Sequence, residues 1–185
     1  MGKSTTAQMF RDAGLDVWDA DAAVHRLYAK GGAAVSPIRA TFPSAIEAGT
    51  VSRERLKQII AQDNTALSQI EKIVHPLVAA DRADFIDQAT SDIVVLDIPL
   101  LFETNSESQF SGILVVSAPA ELQKNRVLAR AGMTEAQFDT ILARQVPDTD
   151  KRAKADFVIE TIDLEQTRQS VTDLIADIRR NHIHA

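Results

Sequence analysis

Ile93-Val94-Val95-Leu96-Asp97-Ile98 is the segment that most restricts the fold. It is continuously apolar and β-branched up to one carboxylate, a pattern suited to a strand buried on both faces of a parallel sheet. Gly112-Ile113-Leu114-Val115-Val116 is a second strand of this type, closed by Ser117-Ala118-Pro119. Leu15-Asp16-Val17-Trp18 is a short strand, and Asp156-Phe157-Val158-Ile159, within residues 155–160, is a last one. Helical patterns fill the intervals: residues 4–13 with Gly14 as a stop, 22–29 broken by Gly31-Gly32, 120–131, 134–144, a short helix from Pro147-Asp148, and an amphipathic helix over 164–180. Residues 33–89 read as helical, with interruptions at Pro37, Pro43, Gly49 and near Pro76. Strands alternating with helices specify an α/β fold with a parallel sheet. The helical insertion then lies over the C-terminal edge of the sheet, where open α/β sheets bind ligands.

Size and charge narrow the class. The 185 residues fit one domain with room for a small inserted lobe and enough chain to bury a core. A net charge of −6 argues against nucleic acid as a partner. The absence of cysteine excludes a disulfide framework and thiolate metal sites. No apolar run approaches the ~20 residues of a membrane span. A polar helix pattern follows Met1 in place of a signal peptide, so a cytoplasmic location without a membrane partner is expected.

Gly2-Lys3-Ser4-Thr5, running into a helix, has the form of the second half of a phosphate-binding loop. The lysine would meet the β- and γ-phosphates of a nucleotide and the serine hydroxyl would hold Mg²⁺. The opening helix turn would add its N–H groups. Asp19 and Asp21 follow a strand on the side where catalytic groups collect, and a carboxylate there can take a proton from an attacking hydroxyl. Either could equally cap the next helix. Asp97 ends the strongest strand, either as a Mg²⁺-shell carboxylate or as a turn residue before Pro99. His75, before Pro76, is by its chemistry a core or kink residue or a ligand contact. Arg126, Arg130 and Arg144, followed by Lys151 and Arg152, form either a phosphate-clamping lid or a solvated basic face. The histidines at 25, 75, 182 and 184 lack metal-ligand spacing.

In order and spacing, several motifs together closely resemble dephospho-CoA kinase: Gly2-Lys3-Ser4-Thr5, Val17-Trp18-Asp19-Ala20-Asp21, His75-Pro76-Leu77, Asp97-Ile98-Pro99-Leu100-Leu101-Phe102-Glu103, then Gln145 and Ala155-Asp156-Phe157-Val158-Ile159. The resemblance covers essentially the whole chain. It implies a phosphate-loop NTPase-type α/β/α fold with three layers and a parallel sheet. The core would be residues 1–31, 90–118 and 153–185, the helical substrate lobe about 32–89, and the lid about 119–152. It implies ATP-dependent phosphorylation of the ribose 3′-hydroxyl of dephospho-CoA, with Mg²⁺, as the last step of coenzyme A synthesis. By position, Asp21 is the expected general base. Gly2, Lys3, Ser4 and Thr5 serve the ATP phosphates, with Ser4 and Asp97 at the metal. Arg130, Arg144 and Gln145 lie in the lid against the nucleotide, and His75, Pro76 and Leu100 face the CoA moiety. Two positions depart from the usual pattern: Arg130-Ala131 replaces Arg-Asp, and Glu160-Thr161 replaces Asp-Asn. Another phosphate-loop kinase, for nucleoside monophosphates or small molecules, and a non-catalytic degenerate kinase are the alternatives.

In that family a hydrophobic strand and a Gly-rich loop precede the position of Gly2. The expectation is therefore that Met1 is an internal methionine. Without the strand, two sheet edges would be left unpaired, and a chain starting at Met1 is expected to bind ATP weakly or phosphorylate poorly.

Overall fold

The computed structural model describes residues 2–129, 132–143 and 145–181. Two expected lid residues, Arg130 and Arg144, lie outside them, as do His182 and His184. In chain order the elements begin with α1 (Lys3–Asp12), β1 (Asp16–Asp19), α2 (Ala20–Tyr28) and α3 (Val35–Thr41). A hairpin of β2 (Ile46–Glu47) and β3 (Thr50–Val51) follows, then α4 (Arg53–Gln62) and α5 (Ala66–Gln88). The remainder is β4 (Val94–Asp97), β5 (Leu114–Ser117), α6 (Ala120–Leu128), α7 (Glu135–Leu142), α8 (Asp148–Ala153), β6 (Phe157–Glu160) and α9 (Leu164–Asn181). These form two compact units, Met1–Val17 with Ser91–Ala185, and Trp18–Thr90.

The first unit is built on strands. β5 and β6 pair in parallel, Leu114 opposite Phe157 through Ser117 opposite Glu160. β4 lies beside β1 in a separate two-stranded sheet. Helices α1 and α9 cover one face, where Met9, Phe10, Val171 and Ile175 bury against Leu15 and Ile159, with Val95 and Leu114 packed on the margin. Each such side chain contributes about 1.5–3 kcal/mol on leaving water. On the opposite face of β5, Ile113 and Val115 pack with Phe102, Phe110 and Val146.

The described strands form separate pairs, and β4 and β5 each have a single hydrogen-bonded neighbour among the described residues. The burial of β4 follows from this. Val94, Val95 and Leu96 are half-buried, and only Asp97 is fully buried, so the strand is not enclosed on both faces.

The second unit is helical around its own core: Leu27, Val35, Ile38, Phe42, Leu56, Ile70 and Val74. The expected break at Pro76 is absent, and α5 runs unbroken for 23 residues. One lost backbone hydrogen bond is outweighed by the apolar stripe Ile70, Ile73, Val74, Leu77 and Val78 packing on this core. Pro37 does not interrupt α3 either; it occupies the first turn, where the backbone N–H has no helical partner anyway. The break at Gly49 is a hairpin, with positive φ at Ala48 (49°) and Gly49 (82°). That pairing of left-handed residues matches the twist of the flanking strands.

Candidate active site

Gly2 opens α1 in the left-handed region at φ 86°. A Cβ there would stand 2.8–2.9 Å from the Thr161 side chain, so both conformation and space require glycine. The Gly2 carbonyl accepts from the Thr6 N–H at 2.8 Å and the Thr6 hydroxyl at 3.1 Å. Lys3, Ser4 and Thr5 therefore form the first turn of a helix whose N–H groups point outward from its start.

Asp97 terminates β4 with its side chain 5% exposed, and Lys3 forms an ion pair with it. Residues 94 positions apart in sequence thus meet, joining the glycine-lysine-serine turn to the strand-end carboxylate. The turn-residue reading of Asp97 does not account for this burial and charge pairing. Among the described residues no group of three or more His, Cys, Asp or Glu could hold a metal. A donor set of one carboxylate and one hydroxyl, all oxygen, fits Mg²⁺, which commonly takes one or two protein ligands and fills its shell with phosphate oxygens and water.

The Thr161 wall behind Gly2 is itself braced. Thr161 donates through its hydroxyl to the Ser117 carbonyl at 3.0 Å. Arg126 donates to the Thr161 carbonyl at 2.6 Å and to the Ile162 carbonyl at 3.3 Å. The sequence marks Arg126 and Thr161 separately but not their contact, which spans 35 positions. The basic cluster accordingly divides. Arg126 buttresses Gly2, Arg152 pairs with Glu160 at 2.7 Å, and Lys151 pairs with Glu103 at 2.7 Å.

Glu103 is a residue the sequence reading left without a role, although it closes the Asp97–Glu103 motif. Its Oε1 accepts from the Val146 N–H at 3.1 Å and from Lys151, while Oε2 is buried without a partner among the described residues. Burial alone would raise its carboxyl, but the Lys151 and backbone hydrogen bonds outweigh this and hold it below its ordinary value. Gln145 directly precedes the tethered Val146. Leu100 stands 50% exposed in the turn after β4.

In the second unit the Asp19–Asp21 ambiguity is resolved. Asp19 is the N-cap of α2, its Oδ1 accepting from the Ala22 N–H at 2.9 Å. Asp21, in the first turn, is exposed, and Arg53 donates to its backbone carbonyl at 3.5 Å. Capping therefore uses the first carboxylate and leaves the second available. His75 and Pro76 are both exposed on α5, so His75 is not a core residue. Asp81, further along α5, was not singled out from the sequence. It accepts from the Trp18 indole N–H at 2.7 Å and from Arg26 at 2.5 and 3.3 Å. Burial would raise its carboxyl, but these hydrogen bonds and the Arg26 charge bring it below its ordinary value.

Comparison with known proteins agrees with this geometry. The dephospho-CoA kinase family model matches residues 1–165. A Ruegeria pomeroyi protein named dephospho-CoA kinase is 59% identical over 185 residues, covering all of this chain and 94% of that protein. One of the same name from Cereibacter sphaeroides is 57% identical over 179 residues, covering 97% of this chain and 91% of its own. Among solved structures, TT1252 from Thermus thermophilus superposes with a TM-score of 0.83 at 30% identity, covering 95% of this chain and 91% of that one. With its glycine-lysine-serine turn bound to a strand-end aspartate on an α/β, phosphate-loop framework, this chain belongs to the dephospho-CoA kinase family.

Proposed function

We propose that the chain transfers the γ-phosphoryl group of ATP to the ribose 3′-hydroxyl of dephospho-CoA, giving coenzyme A and ADP. The observation that carries this reading is the meeting of Lys3 with Asp97, which draws two motifs of the family into one site. The bond from O3′ to the γ-phosphorus forms as the bond from that phosphorus to the β–γ bridging oxygen breaks. The hydroxyl proton passes to the Asp21 carboxylate. Asp21 suits this role because Asp19 already caps α2, and because the residue is exposed.

Lys3 lies at a helix start, where its ammonium and the N–H groups of residues 3–5 would face phosphate oxygens. Ser4 and Asp97 would hold Mg²⁺, which when bound neutralises charge between the β- and γ-phosphates. Gln145, with Arg130 and Arg144, is assigned to the nucleotide side, and exposed Leu100, His75 and Pro76 to the CoA moiety. Residues 119–152 serve as the lid and 32–89 as the substrate lobe in this reading. No described helix is long and apolar enough to cross a membrane, and a cytoplasmic setting is part of the proposal.

A substrate screen tests the reading. With ATP and Mg²⁺ supplied, phosphorylation of dephospho-CoA and not of nucleoside monophosphates is expected. Turnover of a nucleoside monophosphate in preference would reassign the chain to another phosphate-loop kinase, and dephospho-CoA binding without turnover would mark a non-catalytic member.

A further inference from the structure

We propose that Asp81 is a positioning residue for the phosphoryl-transfer step, fixing the Asp21 carboxylate by clamping the segment that carries it. The inference rests on the reading of Asp21 as the general base. Asp81 sits on α5, and its carboxylate holds two points of one short stretch. Trp18, three residues before Asp21, donates its indole N–H at 2.7 Å. Arg26, five residues after Asp21, donates at 2.5 Å to the same oxygen and at 3.3 Å to the other. The span between these anchors is the end of β1 and most of α2, including the Asp19 cap.

The chemistry of the clamp is demanding. Trp18 is 2% exposed, so its indole N–H has no recourse to water if the acceptor is removed. Asp81 itself is 20% exposed on its side chain, while Arg26 is 54% exposed and can be solvated if released. Removal of Asp81 thus costs chiefly the Trp18 anchor. A buried donor seeking a new partner would move the strand end and with it the first turn of α2. The same α5 helix carries His75 and Pro76 six and five residues earlier, so the clamp also fixes Asp21 relative to these exposed residues. A displacement of about 1 Å in a reacting group can cost about a hundredfold in rate.

Trp18 is the sole tryptophan, so its emission reports this contact directly. The experiment compares Asp81→Ala, Asp81→Asn and Asp21→Asn in the full chain, reading emission, ATP KM, and kcat per titrated active site. Asp81→Ala is expected to shift the Trp18 emission and to lower kcat by about ten- to a hundredfold, with the KM for ATP unchanged. Asp81→Asn keeps an oxygen acceptor for the indole and should restore the native emission and bring kcat within about threefold of native. A merely structural role would lower the active fraction and the melting temperature but leave kcat per active site alone. The proposal is overturned if Asp81→Ala retains native kcat per active site, or if Asp81→Asn recovers the emission but not the rate. Near-native kcat in Asp21→Asn would instead remove the base assignment, and the positioning role with it; that outcome is read from the Asp21 variant alone.

Discussion

Replacing Gly2 by alanine tests whether the helix start is the phosphate cradle. Two costs are visible in the structure. At φ 86° an alanine sits in the left-handed region, a penalty of about 1–2 kcal/mol. Its Cβ would also lie 2.8 Å from Thr161 Oγ1 and 2.9 Å from two Thr161 carbons. Overpacking against a buried neighbour costs about 1–3 kcal/mol, and Thr161 cannot swing aside without losing its bond to the Ser117 carbonyl. Together these amount to about 2–5 kcal/mol, part of which a displacement of the first turn of α1 can relieve. That displacement is what nucleotide binding should register. With 1.4 kcal/mol per tenfold, ATP affinity measured by titration calorimetry should fall at least about tenfold. Adding Thr161→Gly removes the clash but not the backbone penalty, so it should recover part of the loss. If Gly2→Ala binds ATP within about threefold of the native chain, the cradle assignment is wrong.

Other substitutions separate neighbouring roles. Asp19→Ala should cost about 1 kcal/mol in urea unfolding, as an N-cap loss, and leave kcat largely intact. Asp21→Asn should do the reverse, lowering kcat by about 10²–10⁴-fold with an unchanged unfolding midpoint. Lys3→Met should lower kcat by roughly a hundredfold or more in steady-state assays, since it removes a cation aimed at the transferring phosphoryl group. Lys151→Met strands the largely buried Glu103 carboxylate and should cost about 2–3 kcal/mol, less than a fully buried pair because both side chains keep some solvent contact. Glu103 has a lowered carboxyl in the folded state, so its contribution is complete above its ordinary pKa and is lost as the pH falls from about 4.3 downward. Unfolding midpoints of Glu103→Gln should therefore vary less with pH in that acid range than those of the native chain.

Much of this molecule is legible in its residues, and the exceptions have physical causes. The strands at 94–97 and 114–117 follow from β-branched apolar runs, and α9 follows from Val171, Leu174, Ile175 and Ile178 at helical spacing. Local rules failed where packing overrode them. Pro76 did not break α5, because its apolar stripe is held by the second unit's core, and Pro37 fell in a turn that needs no amide donor. The β2–β3 hairpin escaped notice because Ala48-Gly49 lacks the asparagine or aspartate that usually marks such a turn. The half-burial of β4 was unreadable from its own sequence, since it reflects which strands lie beside it. In the site, the motifs marked Lys3, Asp21 and Asp97. Their supports, Thr161 behind Gly2, Asp81 beneath Trp18 and Glu103 under Val146, act across 35 or more positions, so their contacts carry no local signature.

The most direct measurement is a product-identified assay with ATP, Mg²⁺ and dephospho-CoA, following ADP release while ³¹P NMR locates the transferred phosphate. The account predicts ADP and coenzyme A in equal amounts, with the new phosphate on the ribose 3′-oxygen, and formation of that product by Asp21→Asn about 10²–10⁴-fold slower. ADP released without coenzyme A, or product at an equal rate from the Asp21 variant, would contradict it.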